Sequence, residues 1–139
     1  MGRTKALLPW PSDRRMTLLE YQFRQLQASH ADEILVVLGH RATELAPLIT
    51  GPRTRAIHNP HYQTGKTSSI RAGVAALGPA ADAVLILGVD QPRPTWLLNR
   101  LITAHQQELA SITTPSFRGR RSGHPPIIAR ELFPELLAT

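Results

Sequence analysis

The sequence predicts an α/β protein built on a doubly wound, mostly parallel sheet. Three observations carry that prediction. Short apolar runs rich in β-branched residues, Ile34–Leu38 (ILVVL) and the run that opens at Ala83 (AVLIL), have the composition of buried strands. They alternate with stretches of helical periodicity, the pattern that βαβ units require. The second run ends in Gly88-Val89-Asp90-Gln91-Pro92, a lone acid followed by proline at the carboxyl end of a strand. Open α/β sheets place their ligands there, so Asp90 stands where a metal ion would be held. Acids after strands also cap the next helix, and Thr95 is available for the same job, so both explanations stand at this point.

Each element has its own signal. A helix is predicted from about Thr17 to His30, with Thr17 and Glu20 at capping-box spacing and Leu18, Leu19, Tyr21, Phe23 and Leu26 on its apolar side. Ile34–Leu38 is a strand stopped by Gly39, and residues 42–50 form a short helix that tolerates Pro47 near its first turn. Arg55–His58 is a brief strand ending at Asn59-Pro60. An alanine-rich helix from about Ser68 to Leu77 leads into the strand that ends near Asp90. Thr95–Leu109 is helical, with Leu97, Leu98, Leu101, Ile102 and Leu109 as its apolar side. Ser111–Thr114 and Pro126–Ala129 are strands separated by a glycine- and arginine-rich loop, and Arg130–Leu137 is helical. One feature departs from the class: the first element is a helix with no strand before it.

Composition narrows the function. A chain of 139 residues with 42% hydrophobic residues suggests one globular domain. No apolar run is long enough to span a bilayer, and Met1–Pro11 has no signal-peptide pattern. Cysteine is absent, which excludes disulfides, thiolate catalysis and cysteine zinc sites and fits a cytoplasmic protein. The net charge of +6 makes polyanions plausible partners, nucleotide triphosphates and nucleic acids among them. The arginines are spread along the chain, and only Phe117–Arg121 (FRGRR) is dense. No recognition helix or aromatic RNA-binding pattern accompanies it, so nucleic acid ranks last.

Few segments can carry chemistry. Gly65-Lys66-Thr67 suggests a P-loop, but the glycine required five positions before Gly65 is Pro60, and that reading is rejected. The wider segment Asn59–Gly73 (NPHYQTGKTSSIRAG) places Ser68 and Ser69 where a helix starts, and free amides with hydroxyls suit a ribose, base or phosphate. A serine that simply caps the helix explains the same residues. The six histidines show no metal-ligand spacing. Among them His124, in Gly123-His124-Pro125-Pro126 before a strand, could line the mouth of a site or shape a turn. No serine sits in a nucleophile elbow.

Met1–Pro9 (MGRTKALLP) resembles the end of the signature of the MobA-like nucleotidyltransferases, Leu-Ala-Ala-Gly-x-Ser-x-Arg-Met-Gly-x-x-Lys-x-Leu-Leu-Pro. The rest of the chain follows that family in order: VVLGH (Val36–His40), NPxYxxGxxSSIxAG (Asn59–Gly73), GVDQP (Gly88–Pro92), GHP (Gly123–Pro125) and ELFPELL (Glu131–Leu137). The resemblance covers essentially the whole chain and is nearest to the molybdenum cofactor cytidylyltransferase branch. It implies a Rossmann-like nucleotidyltransferase fold and transfer of CMP from CTP to the phosphate of molybdopterin, with release of pyrophosphate. In that reading Asp90 is the catalytic Mg²⁺ ligand and Lys5 a catalytic neutraliser of phosphate charge. Gly2, Arg3, Lys5, Asn59, Ser68 and Ser69 contact the nucleotide, and Gly123 and His124 face the pterin substrate. A partner protein that receives the finished cofactor is implied as well.

The resemblance also carries departures. The chain opens at the Met-Gly of the signature, so the family's first strand and glycine-rich loop are expected to be absent. A glycine-aspartate segment beyond the last helix is expected to be absent too. Residues 1–139 would then be one incomplete domain, shortened or with its true start upstream. A shortened form would leave two strand edges open and be poorly stable or oligomeric. The alternatives are a non-catalytic nucleotide-binding remnant and a related guanylyl- or sugar-phosphate nucleotidyltransferase.

Overall fold

The computed structural model describes residues 9–10 and 13–138. An antiparallel hairpin of β1 (Pro9–Trp10) and β2 (Asp13–Thr17) precedes helix α1 (Leu18–Ala28), so the helix is not the first element. The hairpin is a ladder of its own and joins neither of the larger sheets. Thr17 ends β2 and caps α1: its hydroxyl accepts the Glu20 N–H at 3.2 Å, one half of the expected capping box, and donates to the Glu20 carboxylate at 3.4 Å.

Strands β3 (Ile34–Leu38) and β4 (Thr54–His58) pair in parallel, with Ile34 opposite Thr54 and Leu38 opposite His58. Between them lie the short helix α2 (Ala42–Leu45) and a 3₁₀ turn, Ala46–Leu48. Arg41 and Glu44 form an exposed pair there, with Arg41 Nε donating to Glu44 Oε2 at 3.0 Å. That hydrogen bond holds the Glu44 carboxyl below its ordinary range and raises the arginine.

Helix α3 (Lys66–Ala75) leads to β5 (Ala83–Leu85), and α4 (Thr95–Glu108) follows. Strand β6 (Ile112–Thr113), the hairpin of β7 (Ser116–Phe117) and β8 (Arg120–Arg121), β9 (Ile127–Ala129) and helix α5 (Phe133–Ala138) complete the order. The expected arginine-rich loop is thus a hairpin. Arg118 and Gly119, at φ +52° and +79°, supply the two left-handed turn residues that a tight hairpin needs.

The fold is mixed α/β as predicted, and among the described residues its parallel pairing is confined to β3 and β4. The second sheet, β5–β9–β6, is antiparallel. Its connection from β6 folds into the β7–β8 hairpin and has no helix to carry a crossover, and β9 returns antiparallel. The ladder on β5 stops early for a local reason. Ile86 N–H donates to Pro126 O at 3.1 Å, but proline has no N–H to return the bond. The predicted strand to Asp90 is therefore only three residues long, and residues 86–94 form an irregular connection.

No strand among the described residues lies between β3 and β5. Ile34 N–H donates to Arg53 O at 2.7 Å and Asn59 N–H to Leu38 O at 2.8 Å, so the even-numbered residues of β3 bond β4. The peptide groups of Leu35 and Val37 face the other way. Arg130 N–H donates to Asp82 O at 2.8 Å, which by the same alternation turns the peptide groups of Ala83 and Leu85 away from β9. These two edges, paired by no described strand, border a cavity of about 950 Å³, walled by Leu19 and Phe23 of α1, Val74 of α3 and Leu98 of α4. On its β3 side the core is formed by Leu19, Phe23, Ile34, Leu38, Leu45 and Ile49.

Candidate active site

Three chain segments meet at one end of the sheets. Leu38 lies opposite His58, so Gly39 and Asn59 leave the parallel ladder together. Leu85 lies opposite Ile127, so the segment before β9, Gly123–Pro126, sits where β5 ends. Lys66, the first residue of α3, reaches Gly88 beyond β5 and joins the two groups.

Asn59 organises the first segment. It is buried, and its Nδ2 donates to Ser68 Oγ at 2.9 Å and Ser69 Oγ at 3.0 Å while its Oδ1 accepts the His61 N–H at 2.9 Å. The buried Ser68 hydroxyl faces the carbonyls of His61 (3.0 Å) and Gly65 (2.7 Å). Gly65, at φ +116°, closes the 3₁₀ turn Tyr62–Thr64 and starts α3, which is why the helix begins at Lys66 and not at Ser68. Ser68 therefore lies inside the first turn. Gly39 is required by packing: a Cβ there would lie 2.3 Å from Tyr62 Cβ. The structure thus brings Asn59, Ser68 and Ser69 together as one hydrogen-bonded unit. Ser69 borders the cavity beside Lys66, Gly39 and His40.

The second segment is the turn Gly88–Gln91, closed by the Gln91 N–H on Gly88 O at 3.1 Å. Asp90 is exposed on it. A Cβ built on Gly88 would lie 3.0 Å from Asp90 Oδ1 and 3.6 Å from Lys66 Nζ, so the carboxylate and the ammonium converge over a residue that leaves them room. Capping does not account for Asp90. Helix α4 follows Pro94 with no side-chain cap, and the N–H of its first residue, Thr95, goes to Gln25 Oε1 at 2.8 Å.

In the third segment Gly123 takes φ +78°, the His124–Pro125 bond is cis, and Pro125 is fully buried. His124 is exposed, and its carbonyl accepts the Ser122 hydroxyl at 3.0 Å. Gly2, Arg3 and Lys5 lie outside the described residues.

Lys66 is the site residue that sequence reading missed. Its sequence context, Gly65-Lys66-Thr67, lacks the P-loop spacing. A lysine opening the helix that follows a strand end was the feature to weigh.

Among the described residues no three His, Cys, Asp or Glu gather into a metal cage. One carboxylate beside a lysine nevertheless fits a divalent ion that is shared with phosphates, because Mg²⁺ is usually held by one or two carboxylates together with substrate oxygens. No described helix is long and apolar enough to cross a membrane.

A carboxylate, an ammonium and a helix start at the strand ends of an α/β sheet have the chemistry to bind phosphate groups, directly or through a cation. The MobA-like NTP transferase domain matches residues 1–139, and the chain belongs to that family of nucleotidyltransferases. Among solved structures it is similar to Rv0371c from Mycobacterium tuberculosis H37Rv, at 22% identity and a TM-score of 0.78 over 100% of this chain and 70% of that one. The Rv0371c complex with manganese gives 23% identity and a TM-score of 0.77 over 99% and 71% of the two chains. An Rv0371c homolog from Mycobacterium sp. strain JC1 gives 21% and 0.80 over 100% and 68%. These likenesses show the fold. No curated protein is a significant match.

Proposed function

We propose that this chain transfers CMP from CTP to the terminal phosphate of a molybdopterin-type acceptor and releases pyrophosphate. The observation that carries the reading is the convergence of Asp90 and Lys66 over Gly88, at the sheet end where α3 begins. An acceptor phosphate oxygen attacks the α-phosphorus of CTP, a new P–O bond forms, and the bond to the β-phosphate bridging oxygen breaks. Such a displacement needs alignment and charge neutralisation more than covalent help. Lys66 donates to the triphosphate oxygens, with Lys5 assigned the same task by the family signature. Ser69 offers a hydroxyl to the nucleotide, and Asn59 and Ser68 hold the loop that presents it. Gly123 and His124 flank the acceptor side. Asp90 would hold a divalent ion, which when bound supplies further neutralisation of the triphosphate. The manganese complex of the similar Rv0371c supports a divalent ion in this fold.

CTP and the pterin acceptor rest on the order of the Asn59–Gly73, Gly88–Pro92 and Gly123–Pro125 segments. A second reading is nucleotide binding without turnover, which the same hydroxyls and lysine would also serve. The deciding experiment is pyrophosphate release from CTP plus molybdopterin with Mg²⁺ or Mn²⁺, compared with GTP and with a sugar phosphate acceptor. Release with CTP and molybdopterin alone supports the proposal. Calorimetric CTP binding without release from any pair supports the second reading.

A further inference from the structure

Helix α1 carries an amide where its packing calls for a hydrocarbon. Gln22 is 4% exposed and lies on the same stripe as Leu19 and Phe23, both core residues. A buried primary amide is costly unless its donors and acceptor are all engaged. Here they are engaged by one short segment. Gln22 Nε2 donates to Gly88 O at 2.8 Å and to Gln91 O at 2.9 Å, and its Oε1 accepts the Arg93 N–H at 3.2 Å. These anchors bracket Asp90, one before it in the chain and two after. Residues 87–94 belong to no strand or helix, and the turn's own bond is Gln91 N–H to Gly88 O. One helical turn on, Gln25 Oε1 accepts the Thr95 N–H at 2.8 Å and the Thr95 hydroxyl at 2.6 Å, which fixes the far end of the segment.

We propose that Gln22 is a positioning residue for the reaction, its amide acting as a clamp that fixes the direction in which Asp90 presents its carboxylate beside Lys66. This rests on the reading of Asp90 as the residue that holds a divalent ion. The clamp acts through backbone only, so it constrains the turn without occupying the space above Gly88. Displacing a reacting geometry by about 1 Å costs on the order of a hundredfold in rate, which makes such a hold consequential. Coupling between ion binding and the clamp is reciprocal: a turn that is better held binds the ion more tightly, and a bound ion tightens the clamp.

The test uses Gln22→Met, which keeps the length and loses the amide, and Gln22→Asn, which keeps the amide and loses the reach. Each is measured for Mn²⁺ binding by electron paramagnetic resonance, for kcat and KM of CTP, and for thermal midpoint. For both, kcat should fall about a hundredfold and the Mn²⁺ dissociation constant should rise about tenfold, with KM for CTP within about twofold. A lowered midpoint with unchanged Mn²⁺ affinity and kcat would mean a merely structural amide and would overturn the proposal. Asp90→Asn, run in parallel, separates the two readings. If that variant keeps Mn²⁺ binding, the assignment of Asp90 fails; if it loses binding while both Gln22 variants keep it, the clamp fails. Should neither Gln22 variant fold, hydrogen exchange of the Gln22 side-chain amide in the unmutated protein decides. Mg²⁺ should slow that exchange, and no change on adding Mg²⁺ refutes the clamp.

Discussion

The two loops that face each other across the site are held in opposite ways. The Asn59–Ser69 loop supports itself: Asn59 bonds Ser68, Ser69 and His61, and Ser68 bonds back to His61 and Gly65, all within ten residues of chain. The Gly88–Gln91 turn, closed by its own Gln91 N–H on Gly88 O, is also held by Gln22 from 66 and 69 residues away. In the first loop the Asn59 and Ser68 side chains are buried and bonded to one another. In the second the backbone is restrained from beneath, and the side chain of Asp90 stays exposed. A site can therefore keep a reactive group at the surface by taking its rigidity from a neighbouring helix, whereas a polar cluster that rigidifies itself leaves fewer groups for a substrate.

That contrast can be broken at either loop. The largest effect is expected from Asp90→Ala: turnover in the pyrophosphate assay should fall by about a hundredfold or more, in a protein that still unfolds cooperatively in a thermal melt. Undiminished turnover would remove Asp90 from the mechanism. Asn59→Ala should do the reverse. It removes the donor to the Ser68 and Ser69 hydroxyls and the acceptor of the His61 N–H, and should cost about 2 kcal/mol, roughly thirtyfold in the folding equilibrium, read from denaturant melts. An equally stable Asn59→Ala protein would show that the cluster does not hold the loop. Lys66→Met should lower kcat/KM for CTP about tenfold while leaving stability alone, since one charge on phosphate is lost from an exposed position.

The smallest effect belongs to Glu44→Gln, away from both loops. The folded-state pKa of Glu44 is depressed by Arg41, so its contribution is present above the unfolded carboxyl range and is lost as pH falls through the depressed value. The pair is exposed, so the variant should show only a slight, salt-sensitive loss in thermal midpoint at neutral pH, gone in acid. A difference that persists in acid would point to another cause.

Much of the site was legible residue by residue. The Thr17 cap on the Glu20 N–H, the strand ILVVL, the Asn59–Gly73 segment and the placement of Asp90 beyond a strand all follow from short-range spacing. Other features were hidden. The β5 ladder ends early because Pro126 cannot return a hydrogen bond, an effect visible only once β9 is known to pair with β5. The role of Thr95 was open to sequence reading, yet its amide is taken by Gln25 of another helix. Gln22 had a faint signal, a polar residue at helical spacing between Leu19 and Leu26, which reads as surface until the helix is seen packed.

By itself the sequence determined the α/β class, the family, and the residues that stand at the strand ends. Those depend on composition and on spacings of a few residues, where chain geometry leaves little choice. Only the tertiary structure decided that Lys66 and Asp90 both approach Gly88, that α1 holds the Gly88–Gln91 turn, and that no described strand fills the space between β3 and β5. Such contacts join residues tens of positions apart. They are selected by how helices and sheets pack, and packing leaves no periodic trace along the chain.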